Sequence, residues 1–176
     1  MSRVVEVEPE RYEAWLSRFR DNNPEPDPAQ RLGSVEPFDH PRVALLLVRR
    51  GGYAVGVGDG DRLSAHKVGS RYVQSRTAAG GWSQQRFARR RGNQADALVS
   101  AVADQMVRLV AGAGATGLVV GGDRPLVAQV LLDRRLAAVA ALERRELYDL
   151  PDPSLAVLER ALRRGRSVRV EVVDLR

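Results

Sequence analysis

Six consecutive apolar residues, Val43-Ala44-Leu45-Leu46-Leu47-Val48, constrain the fold more than any other stretch of the chain. A short uninterrupted run of this kind reads as a strand buried in a sheet. Tyr53–Val57 reads as a second strand, and Gly58-Asp59-Gly60-Asp61 as the tight turn of a hairpin. The third strand follows over Leu63–Val73, alternating in its first half through Leu63, Ala65 and Lys67.

Periodicity changes after this hairpin. Ala95, Leu98, Val99, Val102, Met106, Leu109 and Val110 trace one face of a long helix over about 83–111. Gly117–Val120 is a fourth strand. Gly121-Gly122-Asp123-Arg124-Pro125 is a strand-to-helix turn, with Asp123 placed to cap a helix over about 125–133. Residues 136–142 are apolar and fit strand or helix. Ser154 starts a further helix through Leu155, Leu158 and Leu162, and Val168–Val173 alternates as a last strand. The order β-β-β-α-β-α-α-β predicts an α/β domain, α+β in its mixed sheet, of the ribonuclease-H-like kind.

Ahead of that domain, Tyr12, Trp15, Leu16 and Phe19 predict a short amphipathic helix over 9–20. Pro24, Pro26 and Pro28 alternate with polar residues and read as an extended linker. The expected division is therefore 1–40 (helix and Pro-rich linker) and 41–176 (main domain).

Several chemistries are disfavoured by the residues themselves. The chain has no cysteine, which removes disulfides, thiolate zinc sites and cysteine nucleophiles. The apolar first strand offers no carboxylate for a two-metal nuclease, and Asp59 and Asp61 suit a turn. The two histidines, His40 and His66, accompany no Gly-x-Ser-x-Gly elbow and read as surface or packing residues. Gly112-Ala113-Gly114-Ala115-Thr116-Gly117 follows a helix and enters a strand, the wrong order for a phosphate cradle. No cofactor and no metal is expected. No run approaches the ~18 apolar residues of a membrane span. A cytoplasmic protein with no membrane or DNA partner is expected.

The charge points to RNA. The formal net charge is +6, and Lys67 is the single lysine among 28 basic residues. Arginine pairs bidentately with phosphate and stacks on bases. Arg71, Arg76, Arg86, Arg89, Arg90 and Arg91 cluster with Tyr72, Trp82 and Phe87 among them, and no Asp or Glu lies between Lys67 and Asn93. At roughly 100° per residue, Arg86, Arg89 and Arg90 point away from the apolar face of the long helix. Arg91 lies nearer that face and, followed by Gly92, marks a bend.

Within this cluster, Gly80-Gly81-x-Ser83-x-x-Arg86-Phe87-Ala88-Arg89-x-Arg91 resembles the loop and helix start of the catalytic middle domain of eukaryotic and archaeal class-1 peptide-release factors. Those factors carry Gly-Gly-Gln in a loop that enters the ribosomal peptidyl-transferase centre. The hairpin at 53–73 and the strand-turn at 117–123 also resemble that domain. The resemblance spans about residues 41–176, and 80–91 is its specific part. The family glutamine would align with Trp82, and the nearest glutamines are Gln84 and Gln85. Displacement of the glutamine beyond the glycine pair, as in Gly-Gly-Ser-Gln, is similar to the Vms-type release-factor-like branch, in a bacterial form.

The resemblance implies a peptidyl-tRNA hydrolase. It would cleave the peptide–tRNA ester on stalled ribosomes or large subunits without reading a stop codon, and the chain has no room for a codon-reading domain. Gln84, or alternatively Gln85, would position water, and Gly80 and Gly81 would shape the loop. Trp82 would stack on rRNA, while Arg76, Arg86, Arg89, Arg90 and Arg91 would bind RNA. The implied partners are rRNA of the large subunit and peptidyl-tRNA. The competing reading is a non-catalytic rRNA-binding, ribosome-associated protein.

Overall fold

The computed structural model describes residues 1–70 and 84–175, with Gln84 described in its backbone alone. These residues form two compact units, His40–Leu162 and Met1–Asp39 with Arg163–Arg176.

The larger unit is built on five strands: β3 (Arg42–Arg49), β4 (Gly52–Asp59), β5 (Arg62–Ser70), β6 (Gly117–Gly122) and β7 (Glu143–Glu146). They lie in the order β5-β4-β3-β6-β7. The first three pair antiparallel, whereas β6 runs parallel to β3 and β7 parallel to β6. This is the ribonuclease-H-like mixed sheet anticipated from the sequence. The β4–β5 hairpin closes where Asp59 pairs with Arg62, and Gly60 supplies the left-handed turn conformation at φ 61°.

The uninterrupted apolar run of β3 follows from burial on both faces. Ala44, Leu46 and Val48 join Val55, Val57, Leu118 and Val120 in a cluster with the helices. Helix α2 (Gln84–Leu109) contributes Leu98, Val102 and Met106, and α3 (Arg124–Leu131) contributes Leu126, Val127 and Val130. On the opposite face Leu45 and Leu47 are also fully buried. There Leu162 of α5 (Leu155–Arg166) lies so close to Gly58 that a Cβ would collide with it. Asp123 accepts from the Leu126 backbone N–H at 3.3 Å and Ser154 from that of Val157 at 3.1 Å, so both anticipated helix starts are capped.

The smaller unit holds a three-stranded antiparallel sheet, β1-β8-β2, and the amphipathic helix α1 (Tyr12–Asn22). β8 (Val168–Asp174) is its central strand, between β1 (Ser2–Val7) and β2 (Gln30–Glu36). Val168, Val170 and Val172 turn inward together with Val7.

Several elements differ from the sequence reading. Residues 1–40 carry two strands besides a helix. The last strand belongs to their sheet and not to the mixed sheet. β7 enters the order unannounced, because Glu-Arg-Arg-Glu has no apolar residue to signal a strand. Residues 136–142 resolve as the short helix α4 (Ala137–Ala140) leading into β7. The third strand ends at Ser70, and 71–73 lie outside the described residues. α2 is continuous through Gly92, so the helix does not break there: a single glycine weakens a helix without obliging it to break.

Candidate nucleic-acid interface

The position of α2 follows from its connections. β5 ends at Ser70, paired with Gly52 at the β3–β4 turn, whereas β6 begins at Gly117, paired with Val43 at the opposite edge. The helix between them therefore crosses the sheet from one edge to the other. Its 26 residues make about 39 Å of helix, while the eight residues of β3 span about 26 Å. The excess, roughly 13 Å, extends past the sheet edge, and each residue from Gln85 to Gln94 is exposed. The buried face begins at Ala95 and Leu98.

This exposed arm carries Gln85, Arg86, Arg89, Arg90 and Arg91. Arg86, Arg89 and Arg90 stand at i, i+3 and i+4, on one stripe opposite the buried face. Arg91 is on the core side of the helix yet exposed, because the sheet does not reach that level. Its Nε donates to the Phe87 carbonyl at 3.3 Å. Gly80, Gly81, Trp82 and Arg76 lie outside the described residues, and Gln84 and Gln85 are the first two residues of α2.

Several arginines elsewhere are tied to acids. Arg42 pairs with Asp59 at 3.1 Å, Arg49 with Asp152 at 3.1 Å and Arg166 with Glu10 at 2.8 Å. Arg164 grips Glu6 through two nitrogens, at 2.8 and 3.1 Å. Arg124 stacks 4.0 Å over the Tyr148 ring and pairs with Glu146 at 3.4 Å. Arg135 bridges Asp133 at 2.8 Å and Asp104 at 2.7 Å. That bridge holds the Asp133 carboxyl down to about 2, chiefly through the side-chain bond from Arg135 and then the Arg135 backbone N–H. No such partner exists among the described residues for Arg86, Arg89, Arg90 or Arg91.

The arm is thus electrostatically unfavourable for a helix standing alone. Arg86 faces Arg89 and Arg90 as like-charge neighbours, each pair destabilising by a few tenths of a kcal/mol. There is no acid in the first turn to complement the positive end of the helix dipole. A polyanion laid along the stripe relieves both effects.

One contact was not legible in the sequence. His40 Nε2 lies 2.6 Å from a Glu143 carboxylate oxygen, and Nδ1 lies 3.2 Å from Thr116 Oγ1. The histidine ties the starts of β3, β6 and β7 together, and no pattern along the chain links those three positions. Among the described residues, no group of three or more His, Cys, Asp or Glu is placed to hold a metal ion. No helix among them is long and apolar enough to cross a membrane.

The mixed sheet and the arginine arm define an α/β domain with an exposed basic helical arm. Residues 41–171 match the family described as Actinobacteria/chloroflexi VLRF1 release factor, and the chain belongs to that family. Membership places it among release factors of translation. No curated protein matches the chain. Among solved structures it is similar to the archaeal translation termination factor aRF1, at 18% identity and a TM-score of 0.47, over 68% of this chain and 33% of that one. The chain thus spans about a third of that factor's length.

Proposed function

We propose that this chain hydrolyses the ester between a nascent peptide and tRNA, in the cytoplasm, on stalled ribosomes or large subunits and without reading a stop codon. The observation that carries the proposal is the exposed, acid-free arginine stripe on the first turns of α2, directly after Gly80-Gly81-Trp82-Ser83-Gln84. The arginines anchor rRNA phosphates and fix the register of the segment before them. The glycine pair lets that segment enter a narrow site, and Trp82 stacks on an rRNA base.

In the reaction a water oxygen bonds to the ester carbonyl carbon. The ribose oxygen departs with a proton, and free peptide and deacylated tRNA result. The Gln84 amide is neutral, so it serves to orient water and to donate to the developing oxyanion, not to act as a base. Gln85 is the alternative for this role.

A peptide-release assay on purified large subunits carrying peptidyl-tRNA tests the assignment. Gln84→Ala should abolish release while leaving co-sedimentation with the subunit intact. Full release by that variant, with loss in Gln85→Ala, moves the role to Gln85, and release by both variants refutes the mechanism. Trp82 at the family's usual glutamine position favours a second reading, a non-catalytic rRNA-binding protein. Binding without cleavage by the unaltered chain would establish it.

A further inference from the structure

Phe87 is 41% exposed, although it lies on the side of α2 that enters the core three turns later. It precedes Leu98 by eleven residues, which brings it round to within roughly 20° of the direction of Leu98. Arg91 precedes Leu98 by seven residues and falls roughly 20° to the other side. The two are neighbours at i and i+4, and the Arg91 Nε bond to the Phe87 carbonyl keeps the guanidinium close to this turn. An isolated exposed apolar residue is commonplace. This one stands among four arginines, on an arm where its neighbours are polar, charged or small.

Two groups of side chains therefore occupy the arm. Arg86, Arg89 and Arg90 form the stripe opposite the core side, and Phe87 with Arg91 lie about a third of a turn round from it. We infer that Phe87 and Arg91 form a stacking platform for an unpaired base of single-stranded RNA, while the stripe holds the phosphates of the same strand. The inference rests on the RNA contact proposed above and divides its arginines into two roles. A strand with its backbone along the stripe can turn one base toward the platform. The phenyl ring offers a flat apolar face and the planar guanidinium a cationic one, and both stack on any base. A duplex keeps its base faces inside the stack and gains nothing from the platform.

The test uses the full chain with a single-stranded RNA oligonucleotide carrying 2-aminopurine and a hairpin duplex of matched length, each titrated over a range of salt. Phe87→Ala should weaken single-strand binding about 5- to 150-fold. It should leave the salt slope and duplex binding unchanged, because no phosphate contact is lost. Stacking should quench 2-aminopurine with the unaltered chain and with Phe87→Trp, but not with Phe87→Ala or Phe87→Leu. Arg91→Lys, which keeps the charge and loses the plane, should weaken single-strand binding at an unchanged salt slope. Phe87 is exposed, so thermal melts of these variants should match that of the unaltered chain.

Phe87→Leu binding as tightly as the unaltered chain would reduce the contact to plain apolar packing and overturn the platform. So would an equal loss on duplex and single strand, or binding of poly-glutamate as tight as that of RNA. Replacement of Arg86, Arg89 and Arg90 by Ala separates the two levels of the argument. If that triple variant binds RNA undiminished, the RNA contact itself fails and the platform with it. If the triple variant loses binding and Phe87→Ala does not, only the platform fails.

Discussion

Gly92→Ala isolates the arm of α2. Gly92 lies inside the helix, is exposed, and a Cβ there would meet nothing within 4 Å. Its φ is not in the left-handed region. The methyl group is therefore accommodated without strain, and its effect is that of helix propensity, about 1 kcal/mol in favour of the helix. Residues 85–94 have no buried side chain to hold them helical, so the arm depends on local terms of this size. The two like-charge pairs of Arg86 oppose the helix by roughly 0.4–1 kcal/mol together, so alanine at position 92 about offsets them. A gain of 1 kcal/mol is about fivefold in a local opening equilibrium.

Hydrogen exchange followed by mass spectrometry reads this equilibrium directly. Amide exchange in a peptide covering 85–94 should slow about fivefold. A peptide covering 98–109, whose side chains are held by the core, should not change. RNA binding by the variant should tighten, since less of the arm remains to be ordered on contact. Unchanged exchange over 85–94 would show that the arm is held by something other than propensity. Weaker RNA binding together with slower exchange would show that the bound arm is not helical, and the stripe geometry would fall.

Two further outcomes concern the scaffold. Gly122→Ala places a Cβ against the Val48 carbonyl at a φ of 99°, so both collision and backbone strain oppose it. It should lower stability by at least about 1–3 kcal/mol in urea denaturation, and an unaltered midpoint would refute the tight β3–β6 junction. The folded-state pKa of Asp133, near 2, lies below its ordinary value of 3.8. The ionised carboxylate therefore adds stability that is fully present above pH ~4 and lost as pH falls toward 2. Arg135→Met should return the Asp133 titration, followed by NMR, toward the ordinary carboxylate range and flatten that part of the acid dependence. A titration left near 2 would exclude Arg135 as the cause.

What could be read from the sequence was whatever leaves a local apolar signal. Val43–Val48 announced a strand because both of its faces are buried, and Leu98, Val102 and Met106 announced α2 because one of its faces is. β7 left no such signal: Glu143-Arg144-Arg145-Glu146 is held by its ladder with β6 and buries Arg145 instead of a hydrophobe. β2 reads Gln-Arg-Leu-Gly-Ser-Val-Glu, with a register shift between Leu32 and Val35 that defeats any alternation. β8 was recognised as a strand but placed in the wrong sheet. Its register with β1 joins Ser2 to Val173, and nothing local specifies a partner so distant in the chain.

The same distinction governs the candidate site. Charge along the chain marked residues 86–91, but charge alone does not separate an arginine free to meet a partner from one that serves the fold. What sets the arm apart is the clustering of its arginines on one exposed helical stretch together with the lack of any acid near them. Asp59, Asp152, Glu6, Glu10 and Glu146 each meet an arginine of their own unit, and those pairings cross up to 158 positions of sequence. The α2 arm extends past the sheet edge and reaches no carboxylate among the described residues. Among the described residues, arginines without an acid partner also occur singly elsewhere, as at Arg31, Arg62, Arg108 and Arg160. On the arm, four gather on the first two turns of one helix, where they oppose its dipole and one another, directly after the glycine pair. A partner that brings phosphates to that helix turns each of these unfavourable terms into a favourable one, and the absence of acids from the segment is what leaves the arm free to receive it.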